Sequence, residues 1–409
     1  MNSYRSNTNQ ISTYAKAGSF SNAATRHNLS NQQEARRSPV NKSWFFAALL
    51  MAWILSTAAL PANAQRTARA WVLSNTLDNG SHQWTPDPAF QYNSTGATNT
   101  VVHLRDVGQY RVDMPGIFSE IAISMGGIAH VTGYGYESNN TCKPNGWNFD
   151  FSGVHVYVVC FTPTGEPADS MFTAVYFRRG GNGLGFDAYV AGDPNGALVP
   201  VFYDQWNSHY LTNTLQRIDP HIFRVTMPGD TTTGGIVAVN AYGNSSDRCR
   251  ALGWWPTTGS IQVDVVCTNT NNRVDNTPFA LSYTSDLAWG TNSEYLGAYV
   301  RAEYPYDHQG CYTPSSEAQF NDHGSPLTVC NTATGRYAVH IPNDWHVRNG
   351  KITATSAAYR GAEGSYCNLE NLGGGPEEWL VSVSCYDYNG RSTNNPFTLQ
   401  FVTNYEIPQ

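Results

Sequence analysis

Over most of its length the chain alternates apolar and polar residues with a period of two, in short runs that stop at Gly, Pro, Asn or Asp. Val154, Val156 and Val158 alternate with His155, Tyr157 and Val159 ahead of Cys160, and Ile261, Val263 and Val265 repeat the pattern ahead of Cys267. Leu380, Val381 and Val383 approximate it ahead of Cys385. Successive side chains of a strand point to opposite faces, so this pattern predicts strands with one face on a core. Helical periodicity never extends beyond about seven residues, and helices are expected to be minor. The runs predict an all-β chain of antiparallel β-sandwich domains, jelly-roll or immunoglobulin-like, each with about seven or eight strands.

The same elements return three times. Tyr110-Arg-Val-Asp-Met-Pro-Gly116 recurs as Phe223-Arg-Val-Thr-Met-Pro-Gly229 and as Tyr337-Ala-Val-His-Ile-Pro-Asn343. Ala70-Trp71-Val72, Ala188-Tyr189-Val190 and Ala298-Tyr299-Val300 open the units. Cys142/Cys160, Cys249/Cys267 and Cys367/Cys385 are each 18 apart, and Phe172, Phe279 and Phe397 follow the second cysteine by 12 positions. Units of about 115 residues are large enough for cores of their own. They are expected at 65–179, 180–289 and 290–409, with a flexible Arg178–Gly183 linker and a second linker in which Trp289 packs.

Ahead of the units, a polar stretch expected to be disordered ends in Arg36, Arg37 and Lys42, and an apolar run from Trp44 to Leu60 leads into Pro61-Ala62-Asn63-Ala64. Basic flank, apolar core and Ala-x-Ala ending predict a secretory signal cleaved after Ala64, so 1–64 is read as leader plus signal peptide. The remainder carries 2 Lys and 16 Arg against 30 Asp plus Glu, a net charge of −12. Such an acidic surface repels phosphate backbones and anionic lipid, which argues against nucleic acid as a partner and against stable membrane insertion after cleavage. With 13% charged and 13% aromatic residues, wholesale disorder is excluded.

All eight cysteines follow the signal, where disulfides are the default. The repeat pairs Cys142 with Cys160, Cys249 with Cys267 and Cys367 with Cys385, which leaves Cys311–Cys330 private to the third unit. Each loop of nearly twenty residues contributes about 3 kcal/mol in the chain-entropy account. No C-x-x-C and no Cys–His pair at finger spacing occurs, and no metal or other cofactor is expected.

The chain contains no G-x-S-x-G, H-E-x-x-H or P-loop pattern after the signal. Asp169 and Asp275 correspond between units, but Asn394 stands in the third, which fits a turn residue before the last strand bonding its own backbone. Asp307, His308, Asp322, His323, His340 and His346 gather in unit three, where a hydrolytic site is set against solvent-facing loop residues. Trp147 and Trp254, both five residues after a first cysteine, are predicted for the core. Trp84, Trp206, Trp255 and Trp379 fall in polar, turn-rich segments, and are predicted to offer ring faces at the surface to sugars.

The Ala-Trp/Tyr-Val opening, the Met-Pro-Gly corner, the Tyr-Gly ahead of the first cysteine and the closing Pro-Phe resemble uncharacterised secreted bacterial proteins built from tandem disulfide-containing β-repeats of about 110 residues. The resemblance implies architecture and export, and no activity. The resulting expectation is a secreted or cell-surface, non-enzymatic protein that binds extracellular glycan or a cell-surface polymer through the avidity of three units. The alternative is an envelope, appendage or adhesion component that assembles through β-edges.

Overall fold

The computed structural model describes residues 68–406 apart from 79, 118–125, 179–184, 194–204, 287–294, 305–309, 323, 344–350 and 362. The leader and signal, both linkers in large part, and Asp307, His308, His323 and His346 lie outside the described residues. Within them the chain is all-β, with nine strands in each repeat.

Repeat 1 holds β1 (Ala68–Ser74), β2 (Gln83–Trp84), β3 (Gln91–Asn93), β4 (Thr100–His103), β5 (Gln109–Pro115), β6 (Ile128–Tyr134), β7 (Thr141–Asp150), β8 (Gly153–Phe161) and β9 (Met171–Arg178). Repeat 2 holds β10 (Phe186–Gly192), β11 (Gln205–Asn207), β12 (Thr214–Asp219), β13 (Ile222–Pro228), β14 (Ile236–Ala241), β15 (Arg248–Thr257), β16 (Ser260–Thr268), β17 (Val274–Asp275) and β18 (Phe279–Ser285). Repeat 3 holds β19 (Tyr295–Ala302), β20 (Gly310–Tyr312), β21 (Gln319–Asn321), β22 (Thr328–Ala333), β23 (Arg336–Pro342), β24 (Ile352–Ala358), β25 (Tyr366–Gly374), β26 (Glu378–Tyr386) and β27 (Phe397–Glu406). The count exceeds the expected seven or eight because two- and three-residue strands, such as β2 and β17, carry no periodic signal of their own.

Each repeat is a two-sheet sandwich. In repeat 1 the sheets run β3-β1-β9-β6 and β2-β4-β5-β8-β7; repeats 2 and 3 copy them as β11-β10-β18-β14 with β12-β13-β16-β15, and β21-β19-β27-β24 with β20-β22-β23-β26-β25. The period-two pattern explains the core: Ala70 and Val72 of β1, Val112 and Met114 of β5, Val154, Val156 and Val158 of β8, and Phe172 and Ala174 of β9 meet between the sheets. Two further cores repeat this arrangement. All four expected disulfides form, Cys142–Cys160, Cys249–Cys267, Cys311–Cys330 and Cys367–Cys385, each between adjacent antiparallel strands.

The three sandwiches pack into a closed ring. After the recurring Tyr, the chain turns through a residue with positive φ: Gly135 (128°), Gly243 (103°) or Arg360 (52°). Gly243 N donates to Pro144 O (3.0 Å), Arg360 N to Ala251 O (3.0 Å), and Gly135 N to Leu369 O (2.9 Å). The first two bonds join repeats 2 to 1 and 3 to 2, and the last joins 1 back to 3. Each acceptor lies two residues past a first cysteine, where β7, β15 and β25 slip register at Pro144/Gly146, Ala251/Gly253 and Leu369/Asn371. A bulge takes a residue out of its own ladder, so the same irregularity frees the carbonyl three times over.

Side chains reinforce the ring. Trp147 packs on Tyr242 (ring centroids 5.8 Å apart) and Trp254 on Tyr359 (4.7 Å), while Leu372 and Tyr134 meet at the third junction. Trp71 and Tyr189 stand between core residues, so strand alternation turns them outward, into a cluster that includes Phe177, Ala280 and Val402 and draws on all three repeats. Asn368 Nδ2 crosses from repeat 3 to the carbonyls of Ser138 (3.0 Å) and Asn140 (2.7 Å). Asn368→Leu leaves both acceptors without this donor and is expected to cost about 1–3 kcal/mol. Urea unfolding measures this; an unchanged midpoint would contradict the assignment of Asn368 to the repeat 1–3 clasp.

Candidate functional site

The ring reassigns the tryptophans. Trp379 is buried in the third core, 6% exposed and against Phe401 (5.9 Å), because it alternates with Leu380 on β26 and takes the inward position; it offers no surface face. Trp84 is partly buried, edge-on to Tyr110, and Trp206 stacks on Tyr189 beside the inter-repeat cluster. Trp255 is half-buried on β15 with the Arg224 guanidinium 4.9 Å above its ring, and Arg224 in turn pairs with Asp264 through two bonds. Trp147 and Trp254 serve the junctions between repeats as well as the cores, which accounts for their recurrence at one position.

All three repeats contribute to one cavity of ≈ 50 Å³ whose lining mixes polar and apolar groups. By the measure of roughly 10–15 Å³ per water it has room for a few waters or one carboxylate- or phosphate-sized group. Its wall comes from equivalent places: the ends of β6, β14 and β24 supply Thr132, Asn240 and Ser356, and the starts of β7, β15 and β25, with the residue ahead of β15, supply Thr141 and Lys143, Asp247 and Arg248, and Tyr366 and Asn368. The cysteines between these residues keep their places while the residues on either side diverge: Thr141, Arg248 and Tyr366 before the first cysteine, Lys143, Arg250 and Asn368 after it. One shared framework thus carries three different linings.

The electrostatics are lopsided. Lys143 is 5% exposed, and its Nζ donates to Ser245 Oγ at 3.2 Å. Burial pulls its pKa down to about 8; the carboxylate of Asp247 opposes that fall and the guanidinium of Arg248 adds to it. Arg248 is 8% exposed, donates to Pro163 O (3.0 Å) and Tyr388 O (3.4 Å), and lies 4.2 Å from the Tyr366 ring centroid. Its Nε is buried with no hydrogen-bond partner among the described residues. Asp247 is the one carboxylate on the wall, and it already accepts Thr277 Oγ1 at 2.6 Å. Two buried cations therefore share the cavity wall with one lining acid, and Asp387 acts on Arg248 from outside that wall. Searching for residues that recur cannot find a site built from positions that differ; the signal lies at the residues flanking the first cysteine.

Asp169 accepts Gly108 N (2.7 Å) and Tyr110 OH (3.3 Å), and Asn394 accepts Gly335 N (2.7 Å) and Tyr337 OH (3.4 Å), so both bond a strand distant in sequence rather than their own backbone as expected. Asp275 bonds the next backbone N–H, of Asn276, in a repeat where Phe223 replaces the tyrosine. In repeat 3, His340 meets Glu378 (3.1 Å) and Asp322 accepts Gly297 N (2.7 Å). A cluster missed by the sequence reading lies in repeat 1, where Asp78, His82 and His103 converge. No family model, curated protein or solved structure matches this chain. The all-β, disulfide-linked architecture, in which no described helix is long and apolar enough to cross a membrane, is compatible with an extracellular binding or structural protein.

Proposed function

We propose that the chain is an exported binding protein, processed after Ala64, whose ligand site is the junction of its three repeats and whose ligand is an extracellular glycan or cell-surface polymer engaged through an anionic group. One observation carries this reading: Lys143 and Arg248 are buried together in the cavity wall, where Asp247 is the one lining carboxylate and Asp387 acts on Arg248 from beyond the wall. Buried charge is costly unless compensated, and an incoming carboxylate or phosphate supplies the missing counter-charge. Avidity of three equal copies gives way here to one composite site made once per chain. Assembly through β-edges has support only at β12, a six-residue edge strand, since the edges at β6, β14 and β24 already face neighbouring repeats and β3, β11 and β21 are three residues long.

The test is calorimetric titration with acetate and with inorganic phosphate, alongside retention on a polyuronate resin and on a neutral polysaccharide resin. Anion binding and polyuronate retention are expected to fall at least about tenfold in Lys143→Met, the loss of one charge-assisted hydrogen bond. Trp255→Ala is expected to leave both intact. Retention on the neutral resin that depends on Trp255 and ignores Lys143 would overturn the axial site in favour of the aromatic face.

A further inference from the structure

We infer that Asp78, His82 and His103 form a binding site for a zinc-class divalent cation that clips the β1–β2 connection of repeat 1 to strand β4. Asp78 Oδ2 stands 2.8 Å from His82 Nδ1 and 2.9 Å from His103 Nδ1, and all three ligand atoms lie within 4.8 Å of one another. Around a tetrahedral Zn²⁺ with ligands at about 2.0–2.1 Å, neighbouring ligand atoms stand roughly 3.3 Å apart. The two carboxylate–imidazole separations reach that geometry by opening a few tenths of an ångström, and the two imidazole nitrogens stand within 4.8 Å of each other. Backbone N–H groups of Gly80 (2.8 Å) and His82 (3.0 Å) hold Asp78 Oδ1, which leaves Oδ2 aimed at the imidazoles.

Two independent features point to a metal. The far nitrogen of His103, Nε2, meets Asp169 Oδ1 at 3.0 Å. A ligating histidine that passes its other ring N–H to a carboxylate is the usual outer-shell arrangement, fixing the tautomer that leaves Nδ1 free to coordinate. The second feature is internal comparison. Strand register makes Asn331 the counterpart of His103, since each faces the tyrosine that opens the next strand, Tyr337 or Tyr110. The same register makes Cys330 the counterpart of Val102, and Cys311 that of Gln83. Repeat 3 therefore staples this connection with its private disulfide one residue away from where repeat 1 places His82 and His103.

The ligand chemistry selects the ion. Two imidazoles and one carboxylate suit Zn²⁺, Cu²⁺ or Ni²⁺, whereas Ca²⁺ and Mg²⁺ require shells of oxygen. His82 is 73% exposed and Asp78 10%, so the ion enters from solvent and keeps water in its remaining position.

Calorimetric titration of the tag-free, signal-processed chain with ZnCl₂ is expected to show one ion per chain, with no heat from CaCl₂ or MgCl₂. His82→Ala, at an exposed side chain that the fold does not need, is expected to weaken binding by at least about a hundredfold. Asp169→Asn is expected to weaken it about 10–100-fold while leaving the fold intact, because Asn394 fills the equivalent place in repeat 3. Zn²⁺ is also expected to shift the ¹⁵N resonances of the His82 and His103 Nδ1 atoms and to raise the melting temperature of the wild-type chain alone. Binding indifferent to His82→Ala, or no binding at millimolar ZnCl₂, would overturn the site.

Discussion

His130→Gln is expected to remove about 3 kcal/mol of acid destabilisation between pH 6.5 and pH 4. His130 lies fully buried on β6, facing repeat 2, and burial holds its pKa down at about 4, against 6.5 for a free imidazole. Asn240 Nδ2 donates to Val131 O (3.0 Å), which turns Asn240 Oδ1 toward His130 Nδ1 (2.7 Å) and requires the proton on that nitrogen. Nε2 then accepts from Ser282 Oγ at 3.1 Å. The neutral ring is satisfied on both sides, and a second proton brings a charge into a buried position between repeats.

The sign of the effect follows from linkage. Below pH 6.5 the unfolded chain takes up a proton that folded His130 refuses until about pH 4, so stability falls as pH falls through that window. Asp322 acts in the opposite direction, because burial pushes its pKa up to about 7 and the folded state takes its proton first as acid is added. Asp150, held down at about 2 by the Ser152 hydroxyl, loses its contribution only below pH 3.8. The telling measurement is therefore the difference between wild-type and His130→Gln urea midpoints at pH 7 and pH 4.5. Parallel pH profiles for the two proteins would remove His130 as the acid-sensitive element of the junction.

The fold was largely legible because it is written three times. Repeated cysteine spacing determined three disulfides and left Cys311–Cys330 as the fourth, and alternation at Val154, Val156 and Val158 placed the core strands. The ring was not legible, because its determinants look like ordinary core or turn residues. Trp71 flanked by Ala70 and Val72 reads as one more strand residue until the neighbouring repeat covers its outward face. Gly135 and Gly243 read as turn glycines, and only Arg360, holding positive φ at the same place without being glycine, shows that the backbone hydrogen bond to the next repeat is what is retained. Trp379 misled because the polar residues around it, Glu377 and Glu378, belong to the turn and the strand's outward face, while its own position points inward.

The candidate sites were hidden for a related reason. Recurrence is a signal for architecture, and specialisation is its loss. The place next to the core tyrosine or phenylalanine holds His103 in repeat 1, Arg217 in repeat 2 and Asn331 in repeat 3. Only the first can ligate a metal through an imidazole, and only strand register brings it beside His82, twenty-one positions earlier in the chain. The anionic reading of the junction has the same origin, since Lys143, Arg250 and Asn368 occupy one repeat position with three different chemistries.

That divergence has a thermodynamic consequence at Lys143. Lys143→Met is expected to stabilise the chain by about 3 kcal/mol at pH 7, the equivalent of a pKa that falls from 10.5 to about 8. Below pH 8 the ammonium is charged in both states, and the folded state bears the full cost of burying it. Between pH 8 and pH 10.5 the folded protein releases its proton first, so wild-type stability climbs relative to Met, and above that range the two converge. Methionine keeps the length and flexibility of the side chain, so packing changes little. Thermal unfolding of both proteins at pH 7 and pH 9.5 reads the difference, and a Met variant that is less stable at pH 7 would mean that Asp247 already balances the ammonium and that the cavity has no charge left to offer an anion. Saturating phosphate or acetate should stabilise the wild type more than Lys143→Met, so the residue that weakens the empty ring is the one that strengthens the liganded ring.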